Sequence, residues 1–268
     1  MKLLFSILGH TLMFVVLTVL TQVGGIVWLL SLIVIKWWPG KPYRWFVFPG
    51  LYLIVWVLLP LLAKPFGRVP LPLRASAEVP LQPQNAFIVL ANRHYVRPVL
   101  KKETFAVAQR LQADNPDMIL TYLDANFPFI NGFPLLPHRS HNDGKKLDLA
   151  FFYQRKGELT SRAPALLGYG RCAEPQGGER DQPQRCANSG YWQYSLLPKL
   201  AWPFRRSGYT VDEEATRKMV RAFARQGTIG KLFLEPHLKT RWRLGQYNKI
   251  RFHGCAAVRH DDHLHIQL

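Results

Sequence analysis

Two long apolar runs dominate the first quarter of the chain. From Leu3 to Ile35 no charged residue occurs, and a second run follows from Trp45 to Ala63. A membrane-spanning helix needs about 20 apolar residues. The second run therefore suits one span. The first suits one long tilted helix, or two shorter ones turning at Val23-Gly24-Gly25. It is too long for a cleaved signal peptide, and no small-residue cleavage site follows at the expected distance. Lys36, Lys41 and Arg44 crowd the loop between the runs, beside Trp37, Trp38 and Tyr43. The positive-inside rule puts that loop in the cytoplasm, with its aromatic residues at the interface. Two helices in the first run also keep Lys2 inside and give three spans, whereas Lys64, Arg68 and Arg74 weigh against this orientation. Residues 1–63 are thus expected to form a transmembrane segment of two or three helices in the inner membrane, delivering a C-terminal domain to the periplasm. Residues 64–84 contain Pro65, Pro70, Pro72, Pro80 and Pro83 and read as an extended linker. The domain is expected over residues 85–268.

Within that domain, Ala86–Leu90, Met118–Leu123, Leu147–Tyr153, Lys231–Leu234 and Leu264–Leu268 read as strands. Lys101–Ala113 has helical spacing, with Phe105, Ala108 and Leu111 on one side. Asp212–Gln226 is the clearest helix: Asp212 can cap it, acids fill its first turn, and Gly227 follows. Pro128–Pro137 and Gly168–Ser189 read as loops. Strands and helices mix without strict alternation, which predicts an α+β fold.

Composition sharpens the division. The chain has 268 residues and a formal charge of +18, yet no acid occurs before Glu78. The 48% hydrophobic content excludes a disordered chain. The basic excess comes without a nucleic-acid motif or a basic helix carrying stacking aromatics, so nucleic acid is not expected as a partner. An anionic membrane surface and acidic cell-wall polymer are the expected counterparts.

Seven of the nine histidines follow Pro137. In a strand, His263 and His265 project to one face while Leu264 turns to the core. Two adjacent imidazoles suit metal chemistry, one as ligand and one handling a proton. Asp261 and Asp262 could orient an imidazole. His141 and Asp148 flank a glycine turn and offer one nitrogen and one oxygen donor, so His141, Asp148 and His265 meet the three-ligand count of a catalytic zinc site. His138 reads as a surface or loop histidine, and His237 and His253 as hydrogen-bonded core histidines. Glu235-Pro236-His237 reads as a strand-ending turn.

Taken together, Ser140-His141-x-x-Gly144-x-x-x-Asp148-Leu149 and the terminal His260-x-x-His263-x-His265 resemble the D-Ala-D-Ala metallopeptidase family. That family shares its fold with hedgehog signalling domains, and its penicillin-insensitive murein endopeptidases are nearest in motif. The resemblance covers about Leu120 to Leu268. It implies a small antiparallel sheet with flanking helices around a zinc cleft. It also implies Zn2+ held by His141, Asp148 and His265, with His263 as general base or transition-state hydrogen-bond partner and His260 shaping the site. Many members carry Glu at the place of His263, so this chain resembles the His-type branch. Arg93, Arg97 and Arg139 are candidates for the oxyanion-stabilising group. The implied activity is hydrolysis of peptidoglycan stem peptides or cross-links.

Of the three cysteines, Cys172 and Cys186 share one polar loop. A disulfide there would close a ring of about 15 residues, worth about 3 kcal/mol in the chain-entropy model, and would fit an oxidising compartment. Cys255 could ligate metal or lie buried. Two other functions compete with a peptidase. One is a non-catalytic, zinc-containing module that binds cell wall. The other is a membrane protein whose soluble part serves a partner. The first predicts zinc without turnover, the second no zinc at all. The sequence leaves the oligomeric state open.

Overall fold

The computed structural model describes residues 1–37, 43–196, 199 and 206–268. Trp38 and Lys41, part of the basic loop, lie outside the described residues.

The first apolar run is broken in two. Helix α1 (Lys2–Thr21) ends where Gln22 takes a positive φ of 67°, and α2 (Gly24–Trp37) turns back against it. Gly24 and Gly25 lie so close to Thr21, Thr18 and Phe14 that a Cβ at either would collide, which explains glycine at the crossing. Helix α3 (Arg44–Leu62) carries the chain onward. By length and composition α1 and α3 can each cross a bilayer, whereas α2 has 14 residues. At 1.5 Å per residue α2 reaches about 21 Å, short of a hydrocarbon layer of about 30 Å.

Residues 64–84, expected as an extended linker, are structured. Strand β1 (Val69–Pro70) pairs with β3 (Tyr95–Val96), and β2 (Leu81–Pro83) joins the main sheet beside β4 (Leu120–Tyr122). Leu71 and Leu81 are buried in the core. The prolines here occupy edge and turn positions, where a missing N–H costs little.

The expected strand at Ala86–Leu90 is instead a short helix, α4, whose cap Asn85 accepts a hydrogen bond from the N–H of Ile88. Five consecutive apolar residues carry no period that separates strand from helix, and the asparagine cap decides. Helix α5 (Pro98–Asp114) starts on a proline, whose absent N–H is harmless in a first turn. The expected strand Leu147–Tyr153 divides into β5 (Lys146–Ala150) and β6 (Tyr153–Arg155), which belong to different sheets. Strand β6 pairs with β7 (Glu158–Thr160) and with β8 (Thr210–Val211). The loop Gly168–Ser189 contains α6 (Gln182–Asn188). Helix α7 (Glu213–Ala224) is capped by Asp212 as expected. It is followed by β9 (Lys231–Phe233), α8 (Pro236–Arg241), β10 (Ile250–Arg251) and β11 (His263–Gln267).

The main sheet has strand order β10-β9-β11-β5-β4-β2. It is mixed rather than antiparallel throughout, because β10 runs parallel to β9 and β2 parallel to β4. The α+β class expected from the sequence therefore holds with a different sheet. One face of the sheet carries Leu147, Leu149, Leu232, Leu264 and Ile266. These pack with Leu100, Val107 and Leu111 of α5 and Met219, Val220 and Phe223 of α7 in a single core. The other face carries the polar cluster described next.

The disulfide joins Cys186 to Cys255, and Cys172 is free. This corrects the pairing expected within the 168–189 loop and removes Cys255 from the possible ligands. Proximity in sequence misled. Beyond Cys172, the chain is tied to the start of β11 by the hydrogen bond from Ala173 N–H to Asp261 O, while α6 carries Cys186 to the 253–260 loop.

Candidate metal centre

Strands β5 and β11 lie antiparallel with His265 opposite Asp148 and His263 opposite Ala150. Directly opposed side chains share a face. The same register places Leu264 against Leu149 and Ile266 against Leu147 on the core side. The alternation of β11 thus fixes both the apolar and the imidazole face. His141 arrives from the loop before β5, where its Nδ1–H donates to Ala125 O at 2.7 Å. That bond leaves Nε2 as the free lone pair, an arrangement that orients a metal-bound imidazole.

The three donor atoms converge. Asp148 Oδ1 lies 2.8 Å from His265 Nδ1 and 3.3 Å from His141 Nε2, and the two ring nitrogens are 3.1 Å apart. A tetrahedral ion with bonds of about 2.0–2.1 Å separates its ligands by about 3.3 Å. The triangle therefore fits an ion to within a few tenths of an ångström, and this buried His–Asp–His group could hold one. Two imidazoles and a carboxylate suit the borderline first-row divalent ions.

Glycine at position 144 serves the turn between His141 and Asp148. Its φ is +78°, and a Cβ there would run into the guanidinium of Arg68. Asn126 accepts from Gly144 N–H, while Arg97 donates to Asp143 O and, through its own N–H, to Gly144 O. Arg97 is thus a clamp on the turn. Arg139 is exposed.

His263 sits beside the triad, its ring 4.9 Å from that of His260. Asp262 Oδ1 holds His263 Nδ1 at 2.5 Å, and Asp262 also accepts from Gly170 N–H. Among the described residues His263 Nε2 has no hydrogen-bond partner, and it lies 3.9 Å from Asp148 Oδ2. Burial disfavours the imidazolium, but Asp262 and Asp148 outweigh it and raise the His263 pKa to about 9. For His265 burial wins, and its pKa falls to about 4. Burial drives His260 well below its ordinary value, helped by the neighbouring His263 and His265. His260 N–H donates to Glu235 Oε1, which also accepts from Tyr194. Burial and then Asp261 push the Glu235 carboxyl up to about 7. Glu235 caps α8 after β9, so the expected strand-ending turn also braces His260.

The structure brings together all five residues singled out from the motifs: His141, Asp148, His260, His263 and His265. It adds others. His138, read as a surface or loop histidine, does lie in a loop but is buried, with Nδ1 3.0 Å from Asp124 Oδ2 and 3.3 Å from Asp148 Oδ2. Tyr169 lies 2.9 Å from Asp148 Oδ2 and 3.2 Å from Asp124 Oδ2, which leaves Asp148 Oδ1 for the triad. Arg93 forks onto Asp124 at 2.7 and 2.9 Å. Burial works against the Asp124 carboxylate, yet Arg93 and His138 hold it well below the usual range. His138-x-x-His141 is a spacing that could have drawn attention to His138, whereas Tyr169 carries no signal in sequence. Of the two acids before His263, Asp262 orients the ring and Asp261 pairs with Arg259. His237 is buried and bonded to Ala173 O, as expected of a core histidine, whereas His253, read the same way, is exposed and stacks on His260.

Compared with protein-family models and with curated proteins, the chain matches none. The chemistry of the site therefore rests on its own geometry.

Proposed function

We propose that this chain is a membrane-anchored, zinc-dependent peptidase acting on peptidoglycan stem peptides or cross-links. Its domain would lie on the periplasmic side of the inner membrane. The observation that carries the catalytic reading is a buried imidazole nitrogen, His263 Nε2, without a hydrogen-bond partner among the described residues and beside a three-donor metal group. Zinc, when bound at such a site, supplies a nucleophilic water at neutral pH and polarises a carbonyl. His141, Asp148 and His265 would hold the ion. His263 takes a proton at Nε2 from the attacking water and returns it to the leaving amine, while Asp262 keeps Nδ1 protonated and the ring in place. A cation held by the triad would oppose the two carboxylates that raise His263 and so favour the neutral ring that a base requires. Peptidoglycan as substrate comes from the motif resemblance. The Cys186–Cys255 disulfide supports an oxidising compartment.

A closed, non-catalytic zinc site is the competing reading. It is favoured by burial, since His141, His263 and His265 are 1%, 1% and 3% exposed. One experiment separates the two. Purified full-length protein is analysed for bound metal and incubated with sacculi, with a chelator control and products read by mass spectrometry. His141→Ala and Asp148→Ala are expected to lose metal. His263→Ala is expected to keep metal and lose about 10²–10⁴-fold in turnover. Zinc without cleavage in the unaltered protein would establish the closed site, and full turnover in His263→Ala would remove the base.

A further inference from the structure

The domain does not hang from α3 by a tether. It is bonded to the membrane helices along their sides and ends. Tyr52 lies midway along α3, about 15 Å from its C-terminal end at 1.5 Å per residue. Its hydroxyl donates to Leu90 O at 2.6 Å, and Trp56 Nε1 donates to Val89 O at 3.2 Å. Both acceptors are carbonyls at the C-terminal end of α4, where Val89 O also accepts from Asn92 N–H. Asn92, just beyond α4, donates to Thr21 O at the end of α1 and to the Tyr52 hydroxyl. Gln22, between α1 and α2, accepts from Phe129 N–H. The bonds to Leu90 O, Thr21 O and Phe129 N–H close backbone groups of the kind that hydrocarbon leaves unsatisfied.

Helix α4 turns Ile88 and Val89 inward and leaves Phe87 and Leu90 outward, 44% and 52% exposed. Residues three apart on a helix share a face. Beside the Gln22 contact, Ile130 is 57% exposed, and Phe66 packs edge-on against Phe129 while staying half exposed. In water these four side chains would be an apolar collar without purpose. They lie instead beside α3, to which α4 is bonded through Tyr52 and Trp56 and which is itself apolar and exposed at Leu58, Leu61 and Leu62. No acid lies between Met1 and Ala77 to repel an anionic headgroup.

We propose that α4 and the 129–131 loop make a second, monotopic contact with the bilayer, in which Phe66, Phe87, Leu90 and Ile130 enter the leaflet on the domain side. The inference rests on α1 and α3 crossing the membrane and is independent of the metal chemistry. It also sets the height of the candidate centre. Arg93, next to Asn92, grips Asp124, and Asp124 touches His138 and Tyr169. Those bonds would fix the metal group relative to the lipid surface.

Spin labels test this in the full-length chain, reconstituted in phosphatidylglycerol-containing bilayers on a Cys172→Ser background. Labels at Phe87→Cys and Leu90→Cys are compared with Leu12→Cys in α1 and Glu158→Cys in the β6–β7 hairpin. Collision rates with oxygen, which partitions into lipid, and with a water-soluble nickel chelate give the depth. Positions 87 and 90 are expected to favour oxygen, as position 12 does, while position 158 favours nickel. Nickel-accessible labels at 87 and 90 with a lipid-facing label at 12 would overturn the second contact alone. Nickel access at 12 as well would overturn the spanning helices, and the proposal with them.

Discussion

Asp262 shows how much one side chain decides. It adjoins His263 in sequence, yet its carboxylate reaches back to the ring's Nδ1 and is itself fixed by Gly170 N–H. With Nδ1 protonated, Nε2 is the basic nitrogen and points where a proton must be taken. Asp262→Asn keeps the shape and removes the charge, so the amide can offer an N–H and stabilise the wrong tautomer. Turnover is expected to fall by about 10²–10⁴-fold with metal content unchanged, and the acid limb of the pH–rate profile to move to lower pH. Steady-state rates beside elemental analysis check both. An unshifted profile at full rate would mean that Asp262 does not govern the base.

Among the elements, β11 and the 253–260 loop before it matter most. The loop carries His260 to its place against His253 and His263, and the Cys186–Cys255 disulfide pins it to α6. Cross-links that close long loops restrict the unfolded chain most. The sequence separation here is 69. Paired Cys186→Ala and Cys255→Ala substitutions are expected to cost about 2–5 kcal/mol of stability, read as a lower melting temperature in detergent. Cys172→Ser should leave the melting temperature close to unchanged, and the variant should still show one disulfide by non-reducing mass spectrometry, since Cys172 forms no bridge.

For the whole molecule, buried histidines set the response to acid. Burial lowers His94 to about 3, and His265 to about 4. The unfolded values are about 6.5. Between about 6.5 and those lower values the unfolded chain binds protons that the folded chain does not, so stability rises with pH. Their contribution is complete above about 6.5 and is lost as pH falls. His263, raised to about 9, acts in the opposite sense: its contribution is full below about 6.5 and is lost as pH rises through 9. Metal-free protein is therefore expected to lose stability on both sides of neutrality, and His94→Phe to shallow only the acid side. Melting curves from pH 4 to 10 in the presence of chelator check this. An acid limb unchanged in His94→Phe would show that another group dominates it.

The amino-acid sequence by itself determined the apolar runs that form α1 to α3, the capped α7, and the alternation that turns Leu264 inward and His263 and His265 outward. These depend on local periodicity and capping, which act over a few residues and are written in order along the chain. The terminal histidines and the His141–Asp148 glycine turn were legible for the same reason: residue type and spacing carry them. Tertiary structure decided the rest. The mixed sheet, the opposition of His265 to Asp148, the Cys186–Cys255 pairing and the arrival of His138, Asp124 and Tyr169 all join residues far apart in the chain. Five apolar residues at 86–90 became a helix against α3, and a proline-rich stretch became two strands of the fold. No local rule ranks such distant partners, because closing the loop between them costs entropy that only the completed core and its hydrogen bonds repay.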